Sequence, residues 1–162
     1  MGFTACSLTN CIDNWRDLNA PNQVIDWLSE GVPLTFSSPA PTFSLENHKL
    51  TPTQSLFVDQ EVTRLLSSGA IALCKDKPQC VSPLGVVPKK RNKLRLILDL
   101  RKLNGYCVVP KFRYEDISTA LEIVEPHDVF ITADLQNGFH HLKVRNSDQK
   151  FFGFCWKNKY YM

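Results

Sequence analysis

The stretch from Val81 to Arg101 constrains this chain more than any other. Leu94, Leu96, Leu98 and Leu100 alternate with Arg95, Ile97, Asp99 and Arg101. A period of two puts alternate side chains on opposite faces of a strand. Residues 81–88 read as a second extended segment, and Lys89-Lys90-Arg91-Asn92-Lys93 as a charged turn between the two. Two strands joined by a short polar turn form a hairpin. Its leucine face predicts contact with a core, and its other face carries two arginines and an aspartate.

The same region holds the charge asymmetry. Residues 71–113 contain eleven Lys/Arg and two Asp/Glu, whereas residues 1–70 have a net charge of −4 and residues 114–162 a net charge of −2. A basic block inside a chain of net charge +3 is the electrostatic footprint of a polyanion partner. A solvated basic face has the same composition, so the block alone leaves both readings open.

With 162 residues, 43% of them hydrophobic, the chain can build one core. No apolar run approaches the roughly 18 residues of a membrane span, and the first residues lack the basic and apolar regions of a signal peptide. The expectation is an intracellular protein with no membrane partner. Six cysteines, none in a C-x-x-C pair, are too sparse for a disulfide scaffold and read as reduced thiols.

Local signals place the remaining elements. Residues 10–30 read as two short helical pieces broken near Pro21, with Trp15 and Trp27 as packing residues. Residues 33–49 are proline- and serine-rich and read as an extended linker. Thr51 and Pro52 open a helix that Gly69 ends, with Phe57, Val58, Val62, Leu65 and Leu66 on its apolar stripe. Residues 71–73 begin an extended segment. A second helix is expected at 114–124, ended by Pro126. Residues 129–133 read as a buried strand running into Asp134, followed by a tight turn at Gln136-Asn137-Gly138-Phe139. Residues 140–144 and 151–156 read as further strands, the second followed by a turn at Lys157-Asn158-Lys159. The strand pattern is still running at Tyr160-Tyr161-Met162, which is what a fragment would show.

Asp134 is the sharpest chemical feature. A carboxylate at the end of a buried strand must be paired, protonated or bound to a cation. Beside a glycine turn it could hold Mg²⁺ together with phosphate oxygens, or simply cap the turn. Lys89, Lys90, Arg91, Lys93 and Arg95 could clamp a triphosphate or a nucleic-acid backbone. The plainer alternative is that Arg95 and Arg101 neutralise Asp99 between them. Phe139 could lie flat under a sugar or belong to a core. His140 and His141 are neighbours, so on a strand they would face opposite ways.

Three ordered blocks carry a resemblance. Val81-Ser82-Pro83-Leu84-Gly85-Val86-Val87-Pro88-Lys89-Lys90, Leu94-Arg95-Leu96-Ile97-Leu98-Asp99-Leu100-Arg101-Lys102-Leu103-Asn104 and Ile131-Thr132-Ala133-Asp134-Leu135-Gln136-Asn137-Gly138-Phe139-His140-His141 closely resemble the fingers and early palm of retroelement reverse transcriptases. The resemblance covers roughly residues 50–162. The upstream segment looks more like DIRS-type (tyrosine-recombinase) retrotransposons than Gypsy-type ones. The fold it implies is α+β: a partial right-hand polymerase fold with an antiparallel sheet and packed helices. Residues 1–48 would be an amino-terminal extension and linker, and residues 49–162 a partial reverse transcriptase domain.

The resemblance also implies roles. Asp134 matches the first catalytic aspartate, and the Leu135 carbonyl matches a backbone ligand of the same Mg²⁺. Arg95 and one of Lys89 and Lys90 match groups on the incoming triphosphate. Asn137 and Gly138 match the turn whose backbone meets that triphosphate, and Phe139 matches the aromatic gate that prefers deoxyribonucleotides. The implied partners are an RNA or DNA template–primer and deoxynucleoside triphosphates. The family's Asp-Asp palm motif has no counterpart, because the sequence contains no Asp-Asp dipeptide. Two-metal transfer needs ions about 4 Å apart, and one carboxylate cannot hold both. The isolated chain is therefore expected to be catalytically inactive, as a fragment of the polymerase. The alternatives are a non-catalytic nucleic-acid-binding relic and a truncated gene product.

Overall fold

The structure is a computed structural model that describes residues 7–90, 93–109, 116–132 and 138–162. A single-turn 3₁₀ helix at Ser7–Cys11 leads into α1 (Ile12–Asp17) and α2 (Asn22–Glu30). Pro21 separates the two helices, as its position predicts. Residues 33–50 run extended and include β1 (Phe43–Ser44). This stretch is stitched to the body. The Asn47 side chain accepts from the Leu84 amide (2.9 Å) and donates to the Cys155 carbonyl (2.8 Å). The buried Pro41 carbonyl accepts from Gln79 Nε2 and Cys80 Sγ.

α3 (Pro52–Ser67) follows its sequence signals closely. The Thr51 hydroxyl accepts from the Gln54 amide, and the Gln54 side chain accepts from the Thr51 amide. This reciprocal box satisfies two amides that a helix start leaves orphaned. Gly69 ends the turn with a positive φ of 71°. Val58, Val62 and Leu65 are buried along the helix. Replacing Thr51 with Ala should cost about 1 kcal/mol, read as a lower urea midpoint with an unchanged m-value.

The expected hairpin is present as β3 (Leu84–Lys89) and β4 (Lys93–Leu98), paired antiparallel. The extended segment ahead of it is divided. β2 (Cys80–Val81) pairs in parallel with β1, and Ser82–Pro83 carry the chain over to β3. Arg101 does not continue the strand alternation. It opens a short helix, α4 (Arg101–Asn104).

α5 (Ile117–Ile123) is capped by the Asp116 carboxylate, which accepts from the amides of Ser118 and Thr119. The buried strand expected at 129–133 is not found over residues 129–132. Val129, Phe130 and Ile131 are 88%, 71% and 91% exposed and pair with no strand. An apolar run becomes a strand only where another strand accepts its backbone bonds, and among the described residues none does. Nor do residues 140–144 form a strand. A 3₁₀ turn, Gly138–His141, occupies their start, and Val144 makes one isolated bridge to Val32. A further 3₁₀ turn, Gln149–Phe151, delays the next strand, so β5 (Phe154–Trp156) is shorter than expected.

β5 and β6 (Lys159–Tyr161) form a hairpin with Lys157 and Asn158 at φ 47° and 61°. Positive φ at both central residues is the two-residue turn that matches strand twist. Asp59 of α3 fastens this hairpin, accepting from Trp156 Nε1 (2.8 Å) and Lys157 Nζ (2.7 Å). Residues 72–74 flank β6 through the pairs Ala72–Met162 and Cys74–Tyr160. Two buried clusters hold the whole. Val58, Val62, Leu84, Phe154 and Tyr161 form one, and Cys80, Leu103 and Phe151 the other. Each fully buried side chain of this size contributes roughly 1.5–3 kcal/mol. No described helix is long and apolar enough to cross a membrane.

Candidate nucleic-acid interface

The register of the β3–β4 hairpin decides what each face offers. Leu84 lies opposite Leu98, Val86 opposite Leu96, and Pro88 opposite Leu94. Residues directly opposite share a face. These pairs look inward, where Leu96 and Leu98 pack on the Val58 cluster. The other face carries Gly85 with Ile97, Val87 with Arg95, and Lys89 with Lys93. It is therefore basic at its tip and apolar toward its base. Lys89, Lys90, Lys93 and Arg95 are all exposed. No ion pair among the described residues engages any of them.

At the base of this face lies an open hollow of about 670 Å³. Gly85, Val87 and Ile97 contribute apolar surface to it, and His48, Asp99 and Arg101 contribute polar groups. Gly85 leaves room there for the His48 ring. A Cβ at that position would come within 2.9 Å of His48 Cδ2, so glycine lets the imidazole approach the strand backbone. Across the hollow His48 Nε2 sits 3.2 Å from Asp99 Oδ2.

Asp99 is the electrostatic centre of the hollow. Arg101 donates to it from Nη2 (2.6 Å) and Nε (2.9 Å), and from its backbone amide (3.2 Å). These bonds, with that of His48, hold the Asp99 carboxyl well below the usual carboxylate range. Arg101 neutralises Asp99, His48 adds a hydrogen bond, and Arg95 makes no ion pair with it. Because the pKa of Asp99 is depressed on folding, its contribution is complete above the ordinary carboxylate range, near pH 4, and fades as pH falls below it. Wild type should melt above Asp99→Asn at pH 7, and the gap in Tm should close progressively below about pH 4. A gap independent of pH would contradict this.

The structure thus joins Lys89, Lys93 and Arg95 on one face, with Lys90 in the adjoining turn. Gly138 begins the Gly138–His141 turn and is half-buried. Asp134, Leu135 and Asn137 lie outside the described residues, as do Arg91 and the Phe139 side chain. Among the described residues no three His, Cys, Asp or Glu side chains converge to hold a metal ion. His48 and Gly85 had no functional signal in the sequence. A solitary histidine in a proline-rich stretch gives no hint that it will pack on a strand 37 residues later.

The fold, of mixed α and β structure, matches part of a reverse transcriptase fold. The chain resembles prototype foamy virus protease–reverse transcriptase over 99% of its own length and 24% of that chain, with a TM-score of 0.65 and 16% identity. The foamy viral protease–reverse transcriptase in complex with dsDNA matches 80% of this chain and 27% of that one, with a TM-score of 0.59 and 22% identity. In sequence, the chain is similar to retrotransposon polyproteins. The Transposon Tf2-3 polyprotein of Schizosaccharomyces pombe is 28% identical over 110 residues, which is 68% of this chain and 8% of that polyprotein. The Tf2-4 polyprotein matches to the same extent. The chain therefore spans less than a tenth of the length of these curated relatives. It matches no family model.

Proposed function

We propose that this chain is the fingers and early palm portion, residues 49–162, of a retrotransposon RNA-directed DNA polymerase, with residues 1–48 as an amino-terminal extension. One observation carries the reading: a basic face on the β3–β4 hairpin that makes no ion pair among the described residues, in a fold shared with foamy viral protease–reverse transcriptase. Exposed cations with no carboxylate partner among the described residues are available to phosphate. Solved relatives include complexes with dsDNA and with an RNA/DNA hybrid, which supports a nucleic-acid partner for this chain. The DIRS-type likeness of the upstream segment remains an expectation of the sequence.

In the complete polymerase Arg95 and Lys89 or Lys90 would neutralise the β- and γ-phosphates of a deoxynucleoside triphosphate. The backbone of Asn137 and Gly138 would face the same triphosphate, and Phe139 would lie against its sugar. Asp134 and the Leu135 carbonyl would hold Mg²⁺, which supplies Lewis-acid activation of phosphoryl oxygens when bound.

The 162-residue polypeptide by itself should show no primer extension, since Asp134 stands without an Asp-Asp partner in the sequence. The assay is incorporation of labelled deoxynucleotide on an RNA or DNA template–primer. Extension above background that Asp134→Ala abolishes would overturn the expectation of inactivity. A second reading, a non-catalytic nucleic-acid-binding protein, is favoured by the exposed basic hairpin face, which attracts phosphate without a metal. It predicts binding that depends on salt and needs no divalent cation.

A further inference from the structure

The amino-terminal stretch has no role in the reading above, yet it grips the segment that follows the candidate catalytic acid. Val32 donates to the Lys143 carbonyl (2.9 Å), and the Arg145 amide donates back to the Val32 carbonyl (3.0 Å). The Leu34 amide donates to Asp148 Oδ2 (2.9 Å) across 114 residues of chain. Ser7–Cys11 lies against Gly138–His141. Just beyond the clasp, the Phe36 and Phe151 rings meet edge-on with centroids 4.9 Å apart.

Gly31 makes the approach possible. It is buried, at φ 93°, where only glycine is unstrained. A Cβ there would come within 2.7 Å of the Arg145 amide nitrogen, 2.8 Å of Arg145 Cα and 2.9 Å of the Val144 carbonyl carbon. All three obstacles are backbone, so no side chain can rotate aside. Residues 138–148 contain no regular strand or α-helix of their own. Their position rests on what clasps them from outside.

We propose that Gly31, Val32 and Leu34 form, with Asp148, a bracket through which the amino-terminal stretch sets the position of the Gly138–His141 turn. Gly31 and Asp148 are then positioning residues for the nucleotide side of the site. The claim about nucleotide rests on the function proposed above; the claim about the turn does not. His140 reports on the bracket. It is half-buried, and burial together with the Arg64 cation pushes its pKa down, while Glu61 of the same helix opposes the shift and His141 adds to it.

The test uses the full chain with Gly31→Ala, Asp148→Ala and Asp148→Asn. Hydrogen exchange over residues 138–148 should quicken by about tenfold or more in the first two, with α3 and the β3–β4 hairpin unchanged. The His140 pKa, followed by NMR, should rise toward the ordinary imidazole value in the same two variants. Asp148→Asn keeps an acceptor oxygen for the Leu34 amide and should restore both signals. Unchanged exchange at 138–148 in both disruptive variants would overturn the bracket. So would equal loss of protection throughout the chain, which would make the clasp ordinary core. A separate arm titrates Mg²⁺–dTTP and follows the amides of Arg95 and Gly138. Shifts at both in wild type, with only the Gly138 shift lost in Gly31→Ala, support the positioning role. No shift at either in wild type refutes the nucleotide reading and leaves the exchange result to decide the bracket.

Discussion

Replacing Lys89, Lys90, Lys93 and Arg95 together with glutamine should weaken binding of a single-stranded oligonucleotide by about tenfold or more near 0.1 M salt. The reason is counterion release. Each phosphate neutralised on a single strand contributes about 0.7 to the slope of log K against log salt, so losing four contacts should flatten that slope by roughly 3. Two properties of the face make the effect large. The four cations are exposed and carry no internal ion pair among the described residues, so no described carboxylate competes for them. They also project from a hairpin whose inner face is packed on the core, so little ordering is required when the strand docks. Fluorescence anisotropy at several salt concentrations measures both quantities. Arg101→Gln is the control, since its guanidinium is committed to Asp99, and it should change the slope by less than one contact's share. An unaltered slope in the fourfold variant would remove the hairpin from the interface and, with it, the main support for the polymerase reading.

What could be read from the sequence was local. The cap at Thr51 with Pro52, the stop at Gly69, the leucine alternation of β4 and the turn at Lys157-Asn158 each lie within a few residues of the structure they dictate. What could not be read was set by partners distant along the chain. Residues 33–49 look like a linker because their bonds go to Cys80, Leu84 and Cys155 rather than to one another. Arg101 looked like the next tooth of a strand, but its bonds to Asp99 fold it into α4. Val129, Phe130 and Ile131 have the composition of a central strand, yet composition reports only that a side chain favours burial, and no described strand lies alongside them. The candidate site divides in the same way. Lys89, Lys93 and Arg95 share a face because a period of two put them there, whereas His48 reaches that face through a fold-level contact with Gly85.

Gly153→Ala should be a severely destabilising single-methyl change. Gly153 is buried at the head of β5, where β2 passes close by. A Cβ would overlap the Pro78 ring and come within 2.6 Å of the Cys80 carbonyl oxygen. Neither obstacle can move cheaply. Pro78 is itself buried and its ring is rigid. The Cys80 backbone is fixed by pairing with Phe43, and its neighbour Ser82 donates to the Gly153 carbonyl at 2.8 Å. Relief therefore has to come from separating β2 and β5, which would open the Cys80–Leu103–Phe151 cluster. Overpacking typically costs 1–3 kcal/mol, and immobile neighbours on both sides place this case at about 3 kcal/mol. That corresponds to roughly 6–12 °C in Tm for a chain of this size. Gly69→Ala supplies the contrast. Gly69 also departs from ordinary backbone, at φ 71°, but nothing lies within 4 Å of its would-be Cβ, so only the conformational penalty of about 1–2 kcal/mol applies. Thermal melts of the two variants separate steric from backbone cost. If Gly153→Ala melted no lower than Gly69→Ala, the close passage of β2 over β5 would be wrong, and with it the route by which the amino-terminal strap reaches the core.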